Sequence, residues 1–231
     1  MLDQVNEAAG RIFLLGSAHP KRVAVDGFCG AGKTTFADHL ANELAASRRI
    51  VIRATTDDFQ HPPEIRWQLG ERSPRGFYLH AIDFDALRTQ LLEPLGPGGT
   101  RRYRTSTYDM RSMKPNLSPL HVADPTSILV VDGLLLLTVG LRSCWDFSIF
   151  IDASVETCIA RARRRNQERQ VDAEAVEALY RERYAPGFQL YLDQDRPREV
   201  ADMVVLNEQS ERPTPAASLS RGSGHARRSR C

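Results

Sequence analysis

Residues 23–36 read Val-Ala-Val-Asp-Gly-Phe-Cys-Gly-Ala-Gly-Lys-Thr-Thr-Phe and constrain the chain more than any other stretch. An apolar, β-branched run breaks at a cluster of glycines and resumes in a helical pattern, which reads as a strand, a tight loop and a helix start. Gly27, Gly32, Lys33 and Thr34 satisfy the spacing G-x-x-x-x-G-K-[ST] of a phosphate-binding P-loop. Glycines are needed because successive backbone N–H groups must turn inward around an anion, at φ/ψ values and a closeness that a Cβ would obstruct. The helix start aims its unpaired N–H groups and positive dipole end at the same point. Gly27, Phe28, Cys29, Gly30, Ala31, Gly32, Lys33, Thr34 and Thr35 are therefore the expected nucleotide-phosphate-binding residues, with ATP the assumed donor. Lys33 is expected to act as a point charge on the β- and γ-phosphates, and the Thr34 hydroxyl to ligate Mg²⁺.

The following helix is expected from about Lys33 to Ser47, with Phe36, Leu40 and Leu44 on one face. A second β-branched run, 50–56, ends in Asp57-Asp58-Phe59, and a third, 128–131, closes on Asp132-Gly133. Its uninterrupted apolar character suits a central parallel strand covered on both faces. Residues 147–152 and 201–207 supply two more strands. The expected fold is thus a doubly wound α/β P-loop NTPase with a parallel sheet of about five strands. In such sheets ligands bind beyond the carboxyl ends of the strands, so Asp57, Asp58 and Asp132 belong on the rim of the P-loop. Asp132 stands where a carboxylate can hold Mg²⁺ directly or through water; the alternative is a plain Asp-Gly turn.

Asp26-Gly27-Phe28-Cys29-Gly30-Ala31-Gly32-Lys33-Thr34-Thr35, followed by Thr55-Thr56-Asp57-Asp58-Phe59, resembles the uridine kinase, pantothenate kinase and phosphoribulokinase group of P-loop kinases. The resemblance extends over about residues 20–207. It implies that Asp57 acts on the acceptor hydroxyl, orienting it and taking its proton. It also implies that the irregular stretch 61–112 covers the acceptor, with Phe77, Tyr78 and Asp83 or Asp85 as candidate contacts; Asp83 reads alternatively as a helix N-cap. Tyr108-Asp109 resembles the Tyr-Asp-Phe segment of uridine kinases, which makes Tyr108 and Arg111 further acceptor candidates; here Arg111-Ser112 follows where those kinases have a His first. Arg161, Arg163, Arg164, Arg165 and Arg169 resemble the arginine-rich lid, expected at 155–170. Arg161 and Arg165 are the expected phosphate contacts, and Arg164, with Lys33 and Asp57, completes the expected catalytic set. The implied reaction is transfer of the γ-phosphoryl group of ATP to a nucleoside such as uridine or cytidine. Alternatives are a kinase of pantothenate or another polar alcohol, and a nucleotide-binding switch or scaffold without acceptor phosphorylation. A guanine-reading Asn-Lys-x-Asp run and a Leu-Ser-Gly-Gly signature are both missing from the sequence, which disfavours GTPase and transporter ATPase readings.

The organisation expected is an arm at 1–20, a kinase domain at 21–207 and a disordered basic tail at 208–231, where apolar residues nearly vanish. Lys and Arg total 31 against 29 Asp and Glu, a net charge of +2 without a polyelectrolyte signature, so no nucleic-acid partner is expected. The longest apolar run, 128–141, is interrupted by Asp132 and too short for a bilayer, so no membrane association is expected. The expected partner is a small-molecule acceptor, and self-association into a homo-oligomer is left open. Four cysteines without paired spacing fit a cytoplasmic protein, with Cys29 a tolerated side chain in a loop whose backbone does the binding.

Overall fold

Apolar runs uninterrupted by polar residues place three strands in the middle of one sheet. The computed structural model, which describes residues 1–167 and 172–208, has β1 (Lys21–Gly27), β7 (Ile128–Gly133) and β8 (Phe147–Asp152) buried almost throughout. β2 (Val51–Thr55) and β9 (Met203–Leu206) alternate between buried and less buried positions, as edge strands with one covered face do. The five form a single parallel sheet in the order β2-β7-β1-β8-β9. Strands adjacent in space are thus distant in sequence, and each connection must cross over the sheet, mostly through helices.

The strand that leads into the P-loop is at the centre of that order. α2 (Lys33–Ala46) follows and buries Phe36, Ala37, Leu40, Ala41 and Leu44 along one stripe. α1 (Leu2–Leu14) packs on α2 and buries Val5, Ala8, Ala9 and Ile12. The N-terminal segment is therefore no peripheral arm: those four side chains belong to the main core, and Lys21 Nζ donates to the Ile12 carbonyl at 2.7 Å.

On the far side of β2 the chain forms short pieces: a 3₁₀ turn at Thr56–Phe59, α3 (Pro63–Arg66), α4 (Pro74–His80), and α5 (Phe84–Leu87), which runs into a π-helical turn at Arg88–Leu92. Two small antiparallel ribbons follow, β3 (Arg102–Tyr103) with β6 (His121–Val122) and β4 (Tyr108–Asp109) with β5 (Lys114–Pro115). The arginine-rich segment is α6 (Val155–Gln167); α7 (Ala173–Leu179), a π-helical turn at Tyr180–Tyr184, α8 (Ala185–Asp195) and α9 (Pro197–Val200) complete the chain before β9. Arg169 and residues 209–231 of the expected tail lie outside the described residues. No helix among the described residues is long and apolar enough to cross a membrane.

Candidate active site

The register of the sheet brings the expected residues to one rim. Val25 and Thr55 both align with Asp132, so the Asp132 carboxylate emerges between the strand of the P-loop and the strand that leads to Asp57. At the next residue a Cβ on Gly133 would stand 2.1 Å from Thr56 Oγ1, so only glycine lets the 3₁₀ turn close over β7. That hydroxyl accepts a hydrogen bond from the Leu134 amide at 3.0 Å, which fixes the turn carrying Asp57 and Asp58 against the strand carrying Asp132. Gly32, the residue before α2, has φ +97, a left-handed value that a β-carbon would strain.

A cleft of about 710 Å³ opens over this rim, and it has two halves. In the donor half Cys29, Gly30, Gly32, Lys33, Thr34 and Thr35 line the wall. Lys33 Nζ donates to the Phe28 carbonyl at 2.8 Å, across its own loop. Thr34 Oγ1 donates to Asp132 Oδ2 at 2.6 Å, and the other carboxylate oxygen accepts from Arg53 Nη2 at 2.9 Å. Arg53 also pairs with Asp38 at 2.9 Å, a more exposed contact that contributes less. A hydroxyl and a nearly buried carboxylate converging at the foot of the loop form a hard-oxygen donor set, which fits Mg²⁺.

Beneath the loop, Asp26 is fully buried. Its carboxylate accepts from the Gly27 amide at 2.7 Å, the Leu137 amide at 3.2 Å and the Tyr191 hydroxyl. Burial raises the Asp26 carboxyl from 3.8 to about 6, with these hydrogen bonds and Lys33 pulling the other way. Burial likewise pushes the Cys29 thiol up, away from the reactive thiolate.

Of the expected lid residues, Arg164 and Arg165 line the cleft on α6. Arg161 lines it too, but its guanidinium donates to the carbonyls of Gly30 and Ala31, both at 3.3 Å, and to that of Asn207 at 2.9 Å. It braces the P-loop from outside. Asn207 Nδ2 donates to the Ala31 carbonyl at 2.8 Å, so the residue after β9 is a second brace. Arg163 points to Glu177 on α7 at 2.8 Å. Phe28 and Ala31 are buried; Phe28 packs against Tyr180 and Phe188, and only its backbone serves the loop.

Four of the expected acceptor contacts do not line the cleft. Tyr78 donates to Asp195 Oδ2 at 2.7 Å and serves to seat α8, not to line the cleft. Asp83 caps α5, accepting from the Ala86 amide at 2.8 Å. Arg111 is exposed in the β4–β5 turn, where its amide donates to Asp109 at 2.8 Å. Tyr108 is buried behind the wall rather than in it. The wall itself is made by Asp57, Gln60, Arg66, Phe77, Ala81 and Met110, faced by Tyr180, Arg183 and Tyr184. Asp57 is exposed to the cleft and accepts from Gln60 Nε2 at 3.3 Å. Asp58 is half-buried behind it, and burial together with Asp57, Asp109 and Asp132 raises its carboxyl.

Gln60, Arg66, Arg183 and Asn207 were not singled out from the sequence. Arg66 and Arg183 sit among other charged residues in unremarkable helical text, and only their burial, 6% and 7% exposed, sets them apart.

A centrally placed P-loop whose threonine meets a strand-end carboxylate, with a second acid exposed at the same rim, is the arrangement of P-loop kinases as a class. A family profile described as "Phosphoribulokinase / Uridine kinase family" matches residues 23–211, and the chain belongs to that family. Its members are phosphotransferases acting on alcohol groups. A uridine kinase of Aliivibrio fischeri (strain MJ11) is 27% identical over 187 residues, covering 79% of this chain and 84% of the relative. Among solved structures, one described as a "Possible Uridine Kinase from Bacillus stearothermophilus" aligns with TM-score 0.68 at 18% identity, covering 88% of this chain and 97% of the other. The phosphoribulokinase of Rhodobacter spheroides aligns with TM-score 0.54 at 16% identity, covering 77% and 68%. At these identities the structural likeness speaks for the fold.

Proposed function

We propose that this kinase transfers the γ-phosphoryl group of ATP to the hydroxyl of a small acceptor, with Asp57 as the group that takes the hydroxyl proton. One observation carries the assignment: Asp57 is the carboxylate exposed to the cleft beyond the end of β2, whereas Asp132 is engaged by Thr34 and Arg53. The two acids thus divide the work. Gln60 orients the Asp57 carboxylate, and the loop amides with Lys33 bind the phosphates of ATP. Thr34 and Asp132 would hold Mg²⁺, which supplies charge neutralisation between the β- and γ-phosphates. Arg164 and Arg165 face the space above the loop, where charge spreads over the transferring group. Arg161 keeps the loop in shape.

Uridine and cytidine are the first acceptors to consider, because the curated relatives are called uridine kinases. A second reading, a charged alcohol, is favoured by the two buried arginines of the acceptor wall. Release of ADP from Mg·ATP, measured with uridine, cytidine, pantothenate, sugar phosphates and no acceptor, tests the proposal. Acceptor-dependent turnover supports it; turnover equal in the absence of acceptor points instead to an ATPase.

A further inference from the structure

The acceptor wall carries two buried guanidiniums, Arg66 and Arg183, that have no ion-pair partner among the described residues. Arg66 is 6% exposed, yet its ion-pair partners among the described residues number none: Nη1 donates to the Gln60 side-chain oxygen and faces Met110 Sδ at 3.5 Å, and Nη2 faces Met113 Sδ at 3.6 Å. Thioethers are weak acceptors, so most of that donor capacity is unspent. Arg183, 7% exposed, makes no hydrogen bond or ion pair with any described residue; its guanidinium lies over the Tyr184 ring at 5.6 Å. The Nε atoms of both are buried without a partner. Buried charge is ordinarily paired, because removing it from water is costly. Two buried guanidiniums on one cleft, each with a buried Nε that has no partner, therefore mark a place built for an anion that arrives from outside.

That place belongs to the acceptor rather than to ATP. Arg66 holds Gln60, and Gln60 holds Asp57, so a single amide separates the guanidinium from the proposed base. The phosphate-binding side has its own cations: Lys33, Arg164 and Arg165 on the other flank. Phe77, Ala81, Met110 and Tyr184 give the surrounding wall an apolar lining, and a low local dielectric strengthens charge-assisted hydrogen bonds. Burial pulls the Arg183 guanidinium below its ordinary value, consistent with a cation held at a cost until a counter-charge enters.

We propose that Arg66 and Arg183 bind an oxyanion, phosphate or carboxylate, carried by the acceptor, so that the alcohol phosphorylated here is itself an acid or a phosphate ester. This deepens the kinase reading and rests on it. Phosphoryl transfer then joins the γ-phosphorus to the acceptor hydroxyl oxygen and breaks the bond to the β-phosphate oxygen, with the hydroxyl proton passing to Asp57 and ADP leaving.

Matched acceptors test it on the full chain: glycerol against glycerate and glycerol 3-phosphate, ribose against ribose 5-phosphate, and uridine. The anionic member of a pair should exceed its neutral partner in kcat/KM by about 100-fold or more, and the carboxylate and phosphate arms separate the two anion types. Arg183→Gln and Arg66→Gln should each raise the KM of the preferred acceptor about 10- to 100-fold and leave the KM of ATP within about two-fold. Because the substitution breaks no hydrogen bond or ion pair to a described residue and removes an uncompensated buried charge, which outweighs the contact with the Tyr184 ring, Arg183→Gln should keep or raise Tm in the absence of ligand. Neutral acceptors used as well as anionic ones, a raised KM for ATP alone, or a lower Tm with unchanged acceptor KM would each overturn the inference while leaving the kinase intact. Should no acceptor turn over, inorganic phosphate titrated in the presence of Mg·ADP decides the matter separately, read by fluorescence from Trp67, whose ring lies 5.5 Å from the Arg66 guanidinium. A saturable change lost in Arg66→Gln and Arg183→Gln upholds the anion site and removes the kinase reading; no change in the wild type removes the anion site.

Discussion

The two halves of the cleft solve the problem of buried polarity in opposite ways. In the donor half every key group already has a partner: Thr34 and Arg53 share the Asp132 carboxylate, Arg161 and Asn207 hold loop carbonyls, and Asp26 takes three hydrogen bonds. In the acceptor half two arginines are buried with atoms unsatisfied. A site whose ligand is bound mainly by backbone amides can complete its side-chain network in advance. One whose specificity rests on side chains must leave them open for the ligand. The first half is complete and generic, the second incomplete and particular.

Substitutions that cut across this contrast should differ in size and in kind. Lys33→Met removes a cation that no neighbour replaces, and should lower turnover by about 10³-fold or more together with weaker ATP binding; wild-type kinetics in that variant would break the donor-half account. Asp26 should appear in stability. Because burial raises its carboxyl to about 6, the folded protein holds that proton more tightly than the unfolded chain does. The ionised group therefore weakens the fold at neutral pH, and the penalty should fall away as the pH drops from about 6 toward 4. Denaturant titrations of wild type and Asp26→Asn across that window should diverge by an amount on the order of 3 kcal/mol, the wild type gaining relative stability in acid. Parallel curves would show that Asp26 does not titrate there. Asp132→Asn should raise the Mg²⁺ concentration for half-maximal rate by about 10- to 100-fold, since it weakens the carboxylate proposed to support the metal without removing the Thr34 hydroxyl. The smallest effect should come from Cys29→Ser: the loop binds through its backbone and the thiol is held protonated, so activity and resistance to thiol oxidants should change by less than about two-fold.

The same contrast explains what could be read before any coordinates. Donor-half residues are fixed by local chemistry, since a glycine loop, a lysine at its end and an acid closing an apolar strand are contiguous in the chain. Asp132 and Thr34 were both recognisable although 98 residues apart, because each is set by its own strand or loop. The five strands were likewise written in β-branched runs. Acceptor-half residues are set by tertiary placement. Tyr78 and Asp83 were acceptor candidates because they lie in the stretch that covers the acceptor in the resembled kinases, but Tyr78 anchors α8 and Asp83 takes the N-cap role that its position also offered. Arg66 and Arg183 stand 117 positions apart on a short helix and a π-helical turn, and no periodicity marks them as neighbours. The N-terminal helix was underestimated for a related reason: its apolar face is narrow, and only its packing on α2 identifies it as core.

The central claim is that Asp57 takes the proton while Asp132 serves the metal, and steady-state and ATP-binding measurements on Asp57→Asn test it most directly. The substitution should lower kcat by about 10²- to 10⁴-fold with acceptor present and leave the Kd of Mg·ATP within about two-fold. Turnover preserved in Asp57→Asn, or a loss of ATP affinity matching the loss of rate, would contradict the division of labour between the two acids.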